Sequence, residues 1–215
     1  MIRFCTALLF SFFLFLNINY LRAQTFEGEI RIVRESNTDT TAYVYLIRNN
    51  LMRIEELGND NQVSGIMIFD FNENTTIACL PSKKLYMDIS LPPVQKASDK
   101  ENYELISSGN SKMMHGFKCE QFRVRNKLQN TEVSFWLADI GFSYFPDFIS
   151  ASGRPEKTAQ YSLFLPDRQG WFPFLSEVRT LIRELKLKVY VTVIKKMAIP
   201  ADLFNVPSGY TKFEK

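Results

Sequence analysis

Period two dominates the first half of this chain from residue 26, and strict alternation of apolar and polar residues commits a polypeptide to half-buried strands. In Phe26-Glu27-Gly28-Glu29-Ile30-Arg31-Ile32 the apolar residues and Gly28 share one side, and the charges take the other. Thr41 to Arg48 is β-branched and aromatic, and Asn49-Asn50 turns it into Leu51 to Leu57. Gly58-Asn59-Asp60-Asn61 leads to Val63 to Phe69, Asp70 to Asn74 leads to Thr75 to Leu80, and Pro81 to Lys84 leads to Leu85 to Ile89. Runs at about twelve-residue spacing, divided by turn chemistry, describe an antiparallel meander.

The pattern breaks over Pro92-Pro93 to Lys100 and resumes at Tyr103 to Ser107, Phe117 to Arg125 and Glu132 to Ala138. Asp139 to Gly170 has no stable period and is rich in aromatic residues, Pro and Gly. It reads as a covering segment with one or two short helices, whose buried side comes from Phe142, Tyr144, Phe145, Phe148 and Phe164. Phe172 to Arg179 fits a strand, but Leu175, Val178, Leu181, Ile182 and Leu185 also fit helical spacing, and both alternatives stand. Lys186 to Lys195 is a long strand with Leu187, Val189, Val191 and Val193 on one side. Such a meander can close as a barrel, stack as two sheets or curl around a cover, and the aromatic segment favours the last.

The first 23 residues have a different character. Arg3 precedes an apolar run from Ala7 to Leu16, and Leu21-Arg22-Ala23 then precedes Gln24. That is the order of a secretory signal peptide, with cleavage expected near Ala23. The apolar run spans about 15 Å as a helix, too short for a bilayer core of about 30 Å. Cys5 lies ahead of that run, so it is not the lipid-modified cysteine of a lipoprotein. Residues 24–215 are then one exported domain, periplasmic or extracellular, large enough for a substantial core.

Loss of Arg3 and Arg22 takes the formal charge from +3 to +1, which removes the electrostatic case for nucleic acid. Lysines at 83–84, 186–188 and 195–196 fit solvated strand faces. Two cysteines remain, Cys79 and Cys119. They either pair in an oxidising compartment or stay buried as small apolar groups, since pairing needs Cα atoms within about 7 Å.

Three stretches carry a resemblance. Asn50-Leu51-Met52-Arg53-Ile54-Glu55 resembles a strand signature of LolA-like lipoprotein carriers, with Asn49-Asn50 where the carriers have a Pro-Gly pair. Met114-His115-Gly116-Phe117-Lys118-Cys119-Glu120 and Ile199-Pro200-Ala201-Asp202-Leu203-Phe204-Asn205-Val206-Pro207-Ser208-Gly209-Tyr210 resemble segments of a family of secreted Gram-negative bacterial proteins of unknown function with that fold type. The resemblance implies a mainly β fold: a single curved antiparallel sheet, or half-barrel, with a short helical or loop lid. In the carriers the concave face accepts acyl chains and the signature arginine ties the lid, a role that falls on Arg53 here.

Catalytic signatures are sparse. His115 is the single histidine, which excludes multi-histidine zinc sites, and its spacing to Cys119 on an extended strand is about 13 Å. A turn or surface histidine is the simpler reading. No G-x-S-x-G elbow, phosphate loop or dinucleotide fingerprint is present. Glu132, Asp139 and Asp147 near the aromatic segment are the acid groups a hydrolase would draw on. Asn74-Thr75-Thr76 is a glycosylation sequon that matters only in a eukaryotic secretory route.

The leading expectation is therefore a non-catalytic protein that needs no cofactor or metal. It would bind a lipophilic small molecule or a lipidated protein segment in its concavity, with peripheral contact to an outer membrane. Ile30, Ile32, Met52, Ile54, Ile68 and Trp136 would line the site, and Arg53 would contact a headgroup or close the lid. The alternative is an interaction protein whose concave face is filled by its own aromatic residues; a hydrolase is the remaining reading.

Overall fold

A computed structural model describes residues 25–90, 100–144, 147–149, 157–166 and 169–214. The expected signal peptide, most of the Pro92–Lys100 connection, Phe145 and the Ser150–Pro155 turn lie outside the described residues. Twelve strands form a single open, curved sheet: β1 (Gly28–Ser36), β2 (Thr40–Arg48), β3 (Leu51–Leu57), β4 (Val63–Asp70), β5 (Thr75–Leu80), β6 (Leu85–Ile89), β7 (Tyr103–Met114), β8 (Phe117–Asn126), β9 (Thr131–Phe142), β10 (Gly170–Thr180), β11 (Leu185–Lys196) and β12 (Thr211–Lys212). Among the described residues the helix α1 spans Lys157–Ser162, and residues 147–149 are also helical.

The strand order is β12-β6-β5-β4-β3-β2-β1-β11-β10-β9-β8-β7. Two meanders, β1 to β6 and β7 to β11, are joined where β1 pairs antiparallel with β11. Gly28 makes that seam possible: a Cβ there would sit 2.0 Å from the Lys195 carbonyl oxygen, at a φ of 156°. Only a residue without a Cβ allows β1 to lie that close to β11.

Every pairing is antiparallel except β12 with β6, a short parallel addition made by the chain's C-terminal end. Phe172 to Arg179 resolves as strand β10, held on both sides by β9 and β11. The β7–β8 hairpin closes on His115-Gly116 with φ values of 48° and 82°, the left-handed pair that a two-residue hairpin turn requires.

Both faces of the β1–β6 half are covered. We call inner the face that carries Ile30, Tyr45, Ile47, Met52, Ile54 and Phe69, over which Phe148 packs. The side chains on the other, outer face include Leu46, Ile66, Ile68, Ile77 and Cys79, and the C-terminal segment seats Ile199 and Phe204 on them. A second inner cluster under α1 joins Phe122, Val124, Val133, Phe135 and Val178 to Tyr161. Tyr144, Phe148 and Phe164 thus belong to a cover, whereas Asp139 to Phe142, expected in that segment, continue β9, and Phe142 is buried from the sheet itself. Phe148 meets Tyr45 and Phe69 edge to face at 5.8 and 5.9 Å, and Tyr144 stacks on Phe71 at 5.2 Å.

Candidate functional site

The cover does not fill the sheet completely. A cavity of about 90 Å³ remains between β1, β2, β9, β10 and β11 below and the helical residues above. Its floor is Ile32, Tyr43, Tyr45 and Val189, with Phe135, Phe172 and Pro173 at the side. Phe148, Ile149 and Ala159 form the roof, and Arg34, Ser176, Thr158 and Ser162 supply its polar atoms. Pairing explains the floor. Ile32 lies opposite Tyr43, and Ile30 opposite Tyr45, so aliphatic and aromatic side chains of adjacent strands stand side by side on one face.

The residues expected to line a site divide between the two faces. Ile32 lines the cavity; Ile30, Met52 and Ile54 lie in the same inner cluster, sealed from solvent. Trp136 packs against that cluster with the Lys112 ammonium 4.1 Å above its ring. Ile68 and Arg53 are register partners and share the outer face. Sequence reasoning assigns none of Tyr43, Tyr45, Phe135, Phe172, Val189 and Arg34 to a site. Tyr43 and Tyr45 carry the period-two signal of β2, and only the β1–β2 register connects them with Ile30 and Ile32.

Arg53 is buried at 8% exposure and ties a cover, but on the outer side. Its Nη1 donates to the Leu203 carbonyl at 2.9 Å, and Nη2 and Nε reach Glu55 Oε1 at 2.7 and 2.8 Å. The neighbouring C-terminal backbone is fixed in the same way: Arg48 Nη1 donates to the Ile199 carbonyl at 2.8 Å, and the Ile199 N–H donates to Glu27 Oε1 at 2.9 Å.

Cys79 and Cys119 are both free and buried, so no disulfide joins them. They belong to different clusters, Cys79 on the outer face of β5 and Cys119 among the residues of β8 and β10, with seven strands between β5 and β8 in the sheet. Burial pushes both thiols up, offset in part by the charge of Arg53 for Cys79 and of Lys112 for Cys119.

His115 Nε2 is 2.9 Å from the Val191 carbonyl and so carries the proton that it donates. The acid groups do not converge. Glu132 Oε2 accepts from Arg125 Nη2 at 2.8 Å, Asp139 Oδ1 accepts the Gly141 N–H at 3.0 Å, and Asp147 is exposed. Glu132 and Asp139 are seven residues apart on β9, about 24 Å along an extended strand. Among the described residues no group of three or more His, Cys, Asp or Glu side chains is placed to hold a metal ion. No helix among them is long and apolar enough to cross a membrane.

The match to a family model runs over residues 26–210, from the start of the sheet to the C-terminal segment under β12. The chain belongs to the DUF4412 family, a domain of unknown function. No curated protein matches it in sequence. Among solved structures, it is similar to MucB in the Pseudomonas aeruginosa MucA/MucB complex, at 13% identity and a TM-score of 0.52, over 85% of this chain and 56% of that one. An uncharacterized conserved protein from Thermus thermophilus matches at 8% identity and a TM-score of 0.51, over 88% of this chain and 91% of that one. The DUF4412 chain therefore spans little more than half of the MucB length, and at these identities the likeness is one of fold. The curved sheet with a short cover expected from the resemblance is the fold observed.

Proposed function

We propose that this DUF4412 protein is exported and acts as a non-catalytic binding protein, taking an apolar chain into the inner face of its sheet. The observation that carries the reading is the cavity, apolar on its floor and roofed by a separate segment of chain rather than by the sheet itself. Its volume of about 90 Å³ is well below the 300–1,000 Å³ of a typical ligand pocket. In the closed form it takes the end of an acyl chain, and a longer chain enters as Phe148 and Ile149 withdraw. Each methylene buried contributes about 0.8 kcal/mol, so affinity requires no reactive residue. Export rests on the basic start, the apolar run and the small residue at position 23.

The small cavity volume and the ring packing of Phe148 and Tyr144 favour a second reading, in which the cover fills the sheet permanently and the protein binds another protein. MucB of similar fold was solved together with MucA.

The deciding experiment is mass spectrometry of an organic extract from protein purified out of its native cell envelope. A stoichiometric acyl compound in the wild type and in Arg53→Leu, absent from the cavity-filling Ala159→Leu, is the expected result. A clean extract from folded wild-type protein would overturn the binding reading and leave the protein-partner one.

A further inference from the structure

Eight large apolar side chains are exposed among the described residues, and three of them, Leu128, Leu181 and Ile182, sit on two turns that touch. The β8–β9 turn (127–130) and the β10–β11 turn (181–184) emerge side by side from the sheet, because Thr180 of β10 pairs with Thr131 of β9. The Leu181 N–H donates to the Asn130 carbonyl at 3.3 Å, which locks the turns together. Leu128 is 78% exposed and Ile182 81%. Turn centres favour Gly, Asn, Asp and Ser for backbone reasons, so two aliphatic side chains held out in water at adjoining turns are not explained by turn chemistry.

The charges around them have one sign to spare. Lys127 and Arg183 flank the aliphatic residues and are exposed, with no ion pair to either among the described residues. The acids nearby are occupied: Glu184 pairs with Lys186 at 2.6 Å and Glu132 with Arg125 at 2.8 Å. Lys157 adds a third cation at this end, its Nζ donating to Thr131 Oγ1 at 2.8 Å.

We propose that these two turns dock the protein on an anionic lipid surface, with Leu128, Leu181 and Ile182 entering the interface and Lys127 and Arg183 facing the headgroups. Aliphatic side chains at projecting tips with a cationic rim match a planar anionic bilayer. A protein partner would be met by aromatic anchors in a pocket, and this end of the sheet has none exposed among the described residues.

The site also bears on the cover. Gln129, next to Leu128, accepts from the Tyr161 hydroxyl at 3.2 Å, and Lys157 donates to Thr131 at the start of β9, so one end of α1 is tied to the docking turn and the other to the strand it leads into. Docking would set the roof of the cavity close to lipid. The inference goes beyond the proposed binding function and does not depend on a cavity ligand.

The test is co-sedimentation of protein beginning at Gln24 with vesicles of phosphatidylglycerol and phosphatidylethanolamine. The described fold starts at residue 25, and omitting residues 1–23 keeps their apolar run from binding the vesicles itself. Wild-type protein is expected to sediment with these vesicles, to lose binding as salt rises, and to bind little to phosphatidylcholine. Leu128→Ser with Ile182→Ser should lower partitioning at least about tenfold, and Met113→Ser, exposed elsewhere, should not. Lys127→Gln with Arg183→Gln should lower it and remove most of the salt dependence. An Ile182→Trp variant of a Trp136→Phe, Trp171→Phe background should blue-shift its emission on vesicles. Absence of wild-type binding, or equal binding by the Leu128/Ile182 variant, would overturn the proposal. So would a concentration-dependent dimer relieved by the same substitutions, which would assign the turns to a second copy of the chain.

Discussion

The Arg53 guanidinium donates to the main-chain carbonyl of Leu203 at 2.9 Å, across 150 residues of sequence. This bond, with those of Arg48 to Ile199 and Ile199 to Glu27, fastens the C-terminal segment over Ile66, Ile68 and Cys79. The segment needs such ties because much of it is irregular and its carbonyls have no ladder partner. Its end, by contrast, joins the sheet: the Thr211 and Phe213 N–H groups donate to the Lys84 and Tyr86 carbonyls at 2.9 and 2.7 Å.

Replacing Arg53 with Leu should therefore destabilise the fold by about 2–4 kcal/mol, since it strips Leu203 of its donor and leaves Glu55 without its cation in a largely buried place. The midpoint of urea denaturation checks the magnitude. Limited proteolysis checks the location, with cleavage after Lys195 or Lys196 expected to accelerate before cleavage elsewhere. An unchanged midpoint would show that the outer cover is held by its apolar contacts alone.

Phe148 is the main side chain of the inner cover on β2 and β4, and its ring is 7% exposed. Phe148→Ala should enlarge the cavity and cost about 3–4 kcal/mol, the usual range for truncating a buried ring. If the cavity binds an apolar chain, the same substitution should raise the uptake of a small hydrophobic fluorophore under conditions where the protein remains folded. Greater loss of stability without greater uptake would favour a cover that never opens.

The strands were legible because alternation, β-branched residues and turn chemistry agreed over most of residues 26–195. Parity was not legible in β4. Ile66-Met67-Ile68-Phe69 is apolar on both sides, since the aromatic cover buries one face and the C-terminal segment the other. Which side Ile68 takes is then set only by register with β3, and the irregularity between Glu56 and Leu57 shifts that register beyond what spacing can reveal. The helix or strand ambiguity of β10 had another origin: its burial alternates residue by residue, and the helical spacing was completed by Leu181 and Ile182, which are exposed on the turn that follows the strand. β12 is two residues long and pairs parallel across a long separation, so it leaves no local pattern. The cavity depends on where a segment without periodicity comes to rest, which only packing decides.

Both thiols should resist modification in the folded protein. Cys79 is 5% exposed and Cys119 sealed, and burial holds each in its neutral, unreactive form. A disulfide-exchange reagent at pH 8 should titrate close to no thiol in native protein and two per chain of residues 24–215 in denaturant. One fast-reacting thiol would mean that a cover opens, and the residue modified would name which: Cys79 for the C-terminal segment, Cys119 for the β7–β8 hairpin.

Tyr161 supplies the pH dependence. Its hydroxyl is fully buried, and desolvation pushes its pKa from 10.0 to about 12, partly offset by a hydrogen bond with Thr131 and reinforced by Tyr103. The folded state therefore keeps a proton that the unfolded chain has lost above pH 10. The stability that this contributes is fully present below pH 10 and disappears as pH rises from about 10 to about 12, and for a shift of this size it is about 2–3 kcal/mol. Tyr161→Phe should cost about 1 kcal/mol at pH 8 through the lost hydrogen bonds. The same variant should flatten the decline between pH 10 and 12 relative to wild type, and chemical denaturation across that range measures both. A parallel decline in the two proteins would place the alkaline sensitivity elsewhere, with Tyr190 the next group to replace, because its hydrogen bond to Glu35 also raises its pKa.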